Sequence, residues 1–111
     1  MQVTVEPQQS GAALVKLAGR LDLLSAIDVR QKLADVVAAG HQRLVVDLAD
    51  VEFIDSTGLG SLVSGLKATR MAGGDLRLAR PVEQARTILK LTTLDRVLKP
   101  YATTEEALAG Y

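Results

Sequence analysis

Leu44-Val45-Val46-Asp47-Leu48, followed a few residues later by Asp55-Ser56-Thr57-Gly58, is the stretch on which the reading of this chain turns. The first segment is short, nearly continuous in apolar residues and rich in branched side chains, as a strand covered on both faces would be. It is expected to lie centrally in a sheet. Beyond the second segment, Leu59, Leu62, Val63 and Leu66 recur at i, i+3, i+4 and i+7, the spacing of one buried helical face. Two hydroxyls therefore stand where a strand has ended and a helix begins.

Working outward, Gly73-Gly74 ends that helix and Asp75-Leu76-Arg77-Leu78-Ala79 alternates like a strand. Pro81 is well placed near the first turn of a third helix carrying Val82, Ala85, Ile88 and Leu89. Val97-Leu98 reads as a short last strand, and Thr103 with Glu106 as a capping box for a final helix through Leu108. Upstream, alternation in Val3-Thr4-Val5-Glu6 and in Ala13-Leu14-Val15-Lys16-Leu17 predicts two strands, joined as a hairpin by the polar turn from Pro7 to Gly11. Gly19 ends the second. Ser25 followed by Asp28 resembles a capping box for a helix whose Val29, Leu33 and Val36 share one face until Gly40. The order β-β-α-β-α-β-α-β-α predicts one α/β domain over residues 1–111 with a mixed, mostly parallel sheet, the hairpin supplying its antiparallel pair.

Composition narrows the chemistry. The 111 residues are 48% hydrophobic and 23% charged, and 13 Lys+Arg balance 13 Asp+Glu. A chain of this size can bury one core without a disulfide or metal. The absence of cysteine removes thiolate nucleophiles and Cys-ligated zinc, and the single His41 forms no histidine cluster, so neither metal nor cofactor is expected. Balanced charge and 3% aromatic residues leave no basic footprint or stacking platform for nucleic acid. No apolar run reaches the length of a membrane span, and Met1-Gln2-Val3-Thr4-Val5-Glu6 lacks the pattern of a signal peptide. The expectation is a cytoplasmic domain without membrane association.

The hydroxyls admit two readings that share one geometry. Amides of a first helical turn lack intrahelical partners, so Ser56 or Thr57 could cap them, or a phosphate there could meet the positive end of the helix dipole. Nucleophilic catalysis would need a base within hydrogen-bond reach of the serine. His41 precedes the central strand and Ser56 follows it, which puts them at opposite edges of a parallel sheet. Gly58-Leu59-Gly60 lacks the third glycine of a dinucleotide fingerprint and the Gly-Lys-Ser/Thr ending of a P-loop. On the helical wheel, Ser61, Ser64, Gly65 and Ala68 fall opposite the leucine stripe. That small face suits either a neighbouring helix of the same domain or a docking partner.

With Gly19-Arg20-Leu21-Asp22 and Leu44-Val45-Val46-Asp47-Leu48 upstream, Asp55-Ser56-Thr57-Gly58-Leu59-Gly60 resembles the core of the bacterial anti-sigma factor antagonists of the STAS domain family, over essentially the whole chain. The resemblance implies a non-enzymatic partner switch. The unmodified antagonist would bind an anti-sigma factor that is also a serine kinase and free the sigma factor; phosphorylation would end the binding, and a serine phosphatase would reset it. By position the modified residue would be Ser56, with Thr57 next to it where the family has Ser or Thr. Asp22 matches the aspartate of the family's Gly-x-Leu-Asp segment, and Arg20 stands where many members carry an acidic residue. The expected partner-binding set is Asp22, Asp55, Ser56, Thr57, Gly58, Ser61 and Gly65. The alternative is a non-enzymatic STAS subunit or scaffold of a transporter or stress-sensing complex.

Overall fold

The computed structural model describes all residues, Met1–Tyr111. Its centre is β3, Arg43–Ile54, in which Leu44, Val45, Val46, Leu48, Val51 and Ile54 are fully buried. The apolar run predicted for 44–48 is thus the first half of a longer strand, whose second half exposes Glu52 and half-buries Phe53 between buried Val51 and Ile54. Around it the sheet runs in chain order, β1-β2-β3-β4-β5. Strand β1 (Gln2–Pro7) pairs antiparallel with β2 (Ala13–Leu21), while β3, β4 (Asp75–Ala79) and β5 (Pro100–Tyr101) extend it in parallel. This is the mixed, mostly parallel sheet expected from the order of elements.

Side chains on alternate faces of the strands build two separate clusters, as the two-residue strand period requires. On one face, Val15, Leu17, Leu44, Val46 and Leu48 meet α1 (Ala26–Ala38), α2 (Ser56–Met71) and α3 (Glu83–Leu91) through Val29, Leu33, Leu59, Leu62, Leu66 and Leu89. On the other, Leu14, Val45 and Ala79 pack under Ala107 of the short α4, Thr104–Leu108. Thr103 caps α4 as predicted, accepting from the Glu106 amide at 3.0 Å.

Two local expectations are corrected. Val97-Leu98 is not the last strand. After the 3₁₀ turn at Leu94–Arg96, the amides of both residues donate to the Leu94 carbonyl at 3.1 and 2.8 Å, so this backbone is committed to the turn and cannot enter a ladder. Leu98 fills the core instead, and pairing starts at Lys99, whose carbonyl accepts from the Leu78 amide. Pro100 has no amide to lose at this sheet edge. Ser25 does stand at the start of α1, but its side chain makes no cap. Its hydroxyl accepts from the Asp22 amide at 3.1 Å and donates to the Arg20 carbonyl at 2.7 Å, closing the β2–α1 loop rather than the helix.

Candidate functional site

The site forms where β3 ends. Asp55 leaves the strand in extended conformation, and one carboxylate oxygen accepts from the Gly58 amide at 2.7 Å, which makes Asp55 the cap of α2. Its other oxygen accepts from the Leu23 amide at 3.3 Å, and its own amide donates to the Leu21 carbonyl at 3.2 Å. One aspartate therefore ties the α2 N-terminus to the loop after β2. Asp22 lies in that loop, where its carboxylate accepts from the Leu24 amide at 3.1 Å and sits 3.5 Å from Arg20. The Arg20 guanidinium in turn stacks over Phe53 with 4.4 Å to the ring centroid.

Gly58 is explained by contact. A Cβ there would lie 1.9 Å from the Leu21 carbonyl oxygen, so only glycine lets α2 seat against the end of β2. On the far side, the Gln84 side chain of α3 accepts from the Ile54 amide at 2.9 Å and donates to the Ile54 carbonyl at 2.8 Å. Three elements thus fix the backbone on which Ser56 and Thr57 are presented.

With Asp55 as the cap, the two readings of the hydroxyls separate. Ser56 and Thr57 are exposed and neither hydroxyl makes a hydrogen bond within the chain. Beside them, on the loop that Asp55 holds, Leu23, Leu24 and Ile27 are 67%, 93% and 80% exposed. These three apolar side chains stand in water beside the free hydroxyls and add nothing to the core of the domain. His41 lies before the opposite end of β3, its Nδ1 3.2 Å from the Gly11 carbonyl, so no imidazole reaches Ser56.

The predicted site residues divide into two groups. Asp22, Asp55, Ser56, Thr57 and Gly58 are brought together at the loops. Ser61 and Gly65 are not at the surface. Ser61 is 3% exposed and donates to the Gly58 carbonyl at 2.6 Å, and a Cβ on Gly65 would lie 2.7 Å from Leu33 Cδ1 of α1. The small face of α2 is turned toward the neighbouring helix, because close approach of α1 needs it there. Sequence reasoning missed the Leu23-Leu24 pair and Ile27, although Ile27 falls off the Val29, Leu33, Val36 stripe. It also missed Gln84, for which no pattern signals a side chain pairing with a strand 30 residues away.

A family model described as STAS domain matches residues 4–107. The anti-sigma-B factor antagonist of Bacillus subtilis (strain 168) is 32% identical over 106 residues, 95% of this chain and 96% of the relative. The anti-sigma-F factor antagonist RsfB of Mycobacterium tuberculosis is 31% identical over 101 residues, 91% of this chain and 82% of the relative. Two Thermotoga relatives reach 42% identity over 69 residues, 62% of this chain, and the match spans 61% of their length, under two thirds. Among solved structures, an anti-sigma factor antagonist from Mycobacterium paratuberculosis superposes with a TM-score of 0.86 at 30% identity, covering 96% of this chain and 90% of that one. The Bacillus cell fate determinant SpoIIAA in its phosphorylated form shares the fold, with a TM-score of 0.74 at 21% identity and 96% of each chain covered. The chain belongs to the STAS domain family. The Bacillus subtilis and Mycobacterium tuberculosis relatives that it matches over nearly its full length are named anti-sigma factor antagonists.

Proposed function

We propose that this protein is an anti-sigma factor antagonist that works by partner switching. In its unmodified form it binds an anti-sigma factor that is also a serine kinase, and the sigma factor is freed. Phosphorylation of Ser56 ends the binding and a serine phosphatase restores it. The observation that carries this reading is an exposed, unbonded Ser56 hydroxyl at the first turn of α2, next to the exposed Leu23, Leu24 and Ile27.

The physics supports a switch that needs no refolding. A phosphate adds about 1.5 to 2 negative charges beside Asp55 and the apolar cluster. The dipole of α2, and the amides of Ser56 and Thr57 that lack intrahelical acceptors, favour that charge in the free domain. Against a partner built for a neutral hydroxyl the same charge is uncompensated, at a cost of roughly 2 to 5 kcal/mol. That is on the order of 30-fold or more in affinity, enough to return the kinase to its other ligand. Asp22, Asp55 and Thr57 take part as the polar rim of the surface, and Gly58 by letting the α2 backbone sit low against Leu21. No residue of this chain performs chemistry; ATP and Mg²⁺ belong to the kinase.

The test is mass spectrometry of the chain after incubation with candidate serine kinases and ATP, with Ser56→Ala and Ser56→Asp alongside. Ser56→Ala keeps partner binding and takes no phosphate, and Ser56→Asp binds more weakly. Equal phosphorylation of Ser56→Ala moves the assignment to Thr57.

A further inference from the structure

Two shallow cavities of about 280 and 320 Å³ lie end to end between α1 and α2, sharing Arg30 and Ser64 in their walls. Together they form a groove from Thr57, beside the Ser56 turn, to Met71. Ile27 and Met71, 80% and 90% exposed, stand at its two ends. Along α2 the groove covers about 20 Å at 1.5 Å per residue, the length of some four helical turns.

Three observations show that the fold itself does not account for this groove. The first is Gly60, the fifth residue of α2, which lines it. Glycine inside a helix costs about 1 kcal/mol relative to alanine. At Gly58 and Gly65 a neighbouring group requires it, whereas a Cβ on Gly60 would meet nothing within 4 Å. The second is charge. Arg20, Arg70 and Arg80 are committed to carboxylates, and Arg43, Arg77 and Arg86 to backbone carbonyls. Arg30 and Lys67 make no ion pair or side-chain hydrogen bond, a property shared by Lys32, Lys90 and Arg96 elsewhere; what is particular to the groove is that two such cations line it and no acidic residue does. The third is the placement of the exposed apolar side chains of Ile27 and Met71 at its two ends.

We propose that this groove seats an acidic amphipathic helix of the same partner that docks at the Ser56 turn. The helix crosses α2 at Gly60, where its backbone can approach closely. It packs apolar side chains between Ile27 and Met71 and directs Asp or Glu toward Arg30 and Lys67. This rests on the partner-switching reading for the identity of the partner; the groove shares Ile27 and Thr57 with the Ser56 surface and adds Gly60, Arg30, Lys67 and Met71 as its own contacts.

The experiment uses the full chain and, as probe, the protein that co-purifies with Ser56→Ala. Its affinity is measured for Gly60→Gln, Arg30→Glu and the control Lys32→Glu, which lies on α1 outside the groove. A photo-crosslinking side chain at Ser64 maps the contacting segment. Gly60→Gln binds about tenfold more weakly with an unchanged or higher Tm, since only the visitor loses space. Arg30→Glu binds about fivefold more weakly at low salt, while Lys32→Glu stays within about twofold. The crosslinked peptide carries acidic residues at helical spacing. Wild-type affinity in both Gly60→Gln and Arg30→Glu overturns the proposal, as does a crosslink to a basic segment or none from Ser64. Failure of the Ser56 switch is read separately: Ser56→Asp would then bind this probe as well as Ser56→Ala does, whatever the groove variants do.

Discussion

Gln84 on α3 and Ile54 at the end of β3 are joined by a pair of hydrogen bonds, the side-chain amide using its oxygen and nitrogen as a neighbouring strand would use its backbone. Strand β3 outruns β4, which pairs with Arg43 through Asp47 only, so Ile54 has no β4 residue beside it. Gln84 takes that place one residue before Asp55.

Replacing Gln84 by Leu therefore leaves two backbone groups without partners, at a cost of about 1 to 3 kcal/mol. The sensitive readout is amide exchange. Ile54 exchanges faster in Gln84→Leu while Val45, in the middle of β3, keeps its protection. Gln84→Glu retains an acceptor for the Ile54 amide and falls between. Identical Ile54 exchange in all three proteins would show that the contact does not hold the turn.

Gly58→Ala introduces a methyl group 1.9 Å from the Leu21 carbonyl oxygen, where backbone and not a flexible side chain must move. The expected loss is about 3 kcal/mol or more, at the upper end of overpacking. Urea denaturation measures it, and a midpoint equal to that of the parent chain contradicts the packing described between α2 and β2.

Asp55→Ala removes the cap of α2 and the acceptor for Leu23 together, with an expected cost of about 1 to 2 kcal/mol. Asp55→Asn, which keeps an acceptor oxygen, loses less. The difference is visible at the Leu23 amide, whose exchange accelerates in Asp55→Ala. Unchanged exchange there would separate the cap from the loop.

Tyr111 supplies a pH dependence. Its hydroxyl is buried without a hydrogen-bond partner in the chain, and burial, with Asp75 adding and Arg77 opposing, pushes its ionisation well above the ordinary tyrosine range. The unfolded chain ionises near about pH 10, so the stability gained from keeping this group neutral is present below that pH and lost as pH rises beyond it. Tyr111→Phe removes the unsatisfied hydroxyl, so the variant is at least as stable at about pH 8 and loses less by about pH 11. Parallel alkaline unfolding of the two chains would exclude Tyr111 as the cause.

Most of the architecture was legible because it is written in periodicity. The buried run at Leu44 to Leu48, the leucine stripe of α2 and the alternation in β2 and β4 each report one element and one face. The misplaced last strand marks the limit of that signal, since Val97-Leu98 has strand-like residues but a backbone consumed by the Leu94 turn. At the site, the motif identified Ser56, Thr57 and their aspartate. It could not tell which residue caps α2, because Asp55, Ser56 and Thr57 are all good capping types. The helical wheel picked out the small face of α2 but left open whether a helix of the same domain or a partner covers it, and Gly65 proved to be the seat of Leu33. Gln84 and the Leu23, Leu24, Ile27 cluster depend on how distant segments meet, which a pattern within one segment does not contain.

The freedom of the Ser56 hydroxyl from every intramolecular bond also bears on the lifetime of the molecule. A group that carries none of the stability of the fold can be written on and erased repeatedly without hastening degradation of the chain. Under the proposed switch, one polypeptide then passes through many rounds of signalling, and the record of each round is kept in a detachable mark rather than in newly made protein.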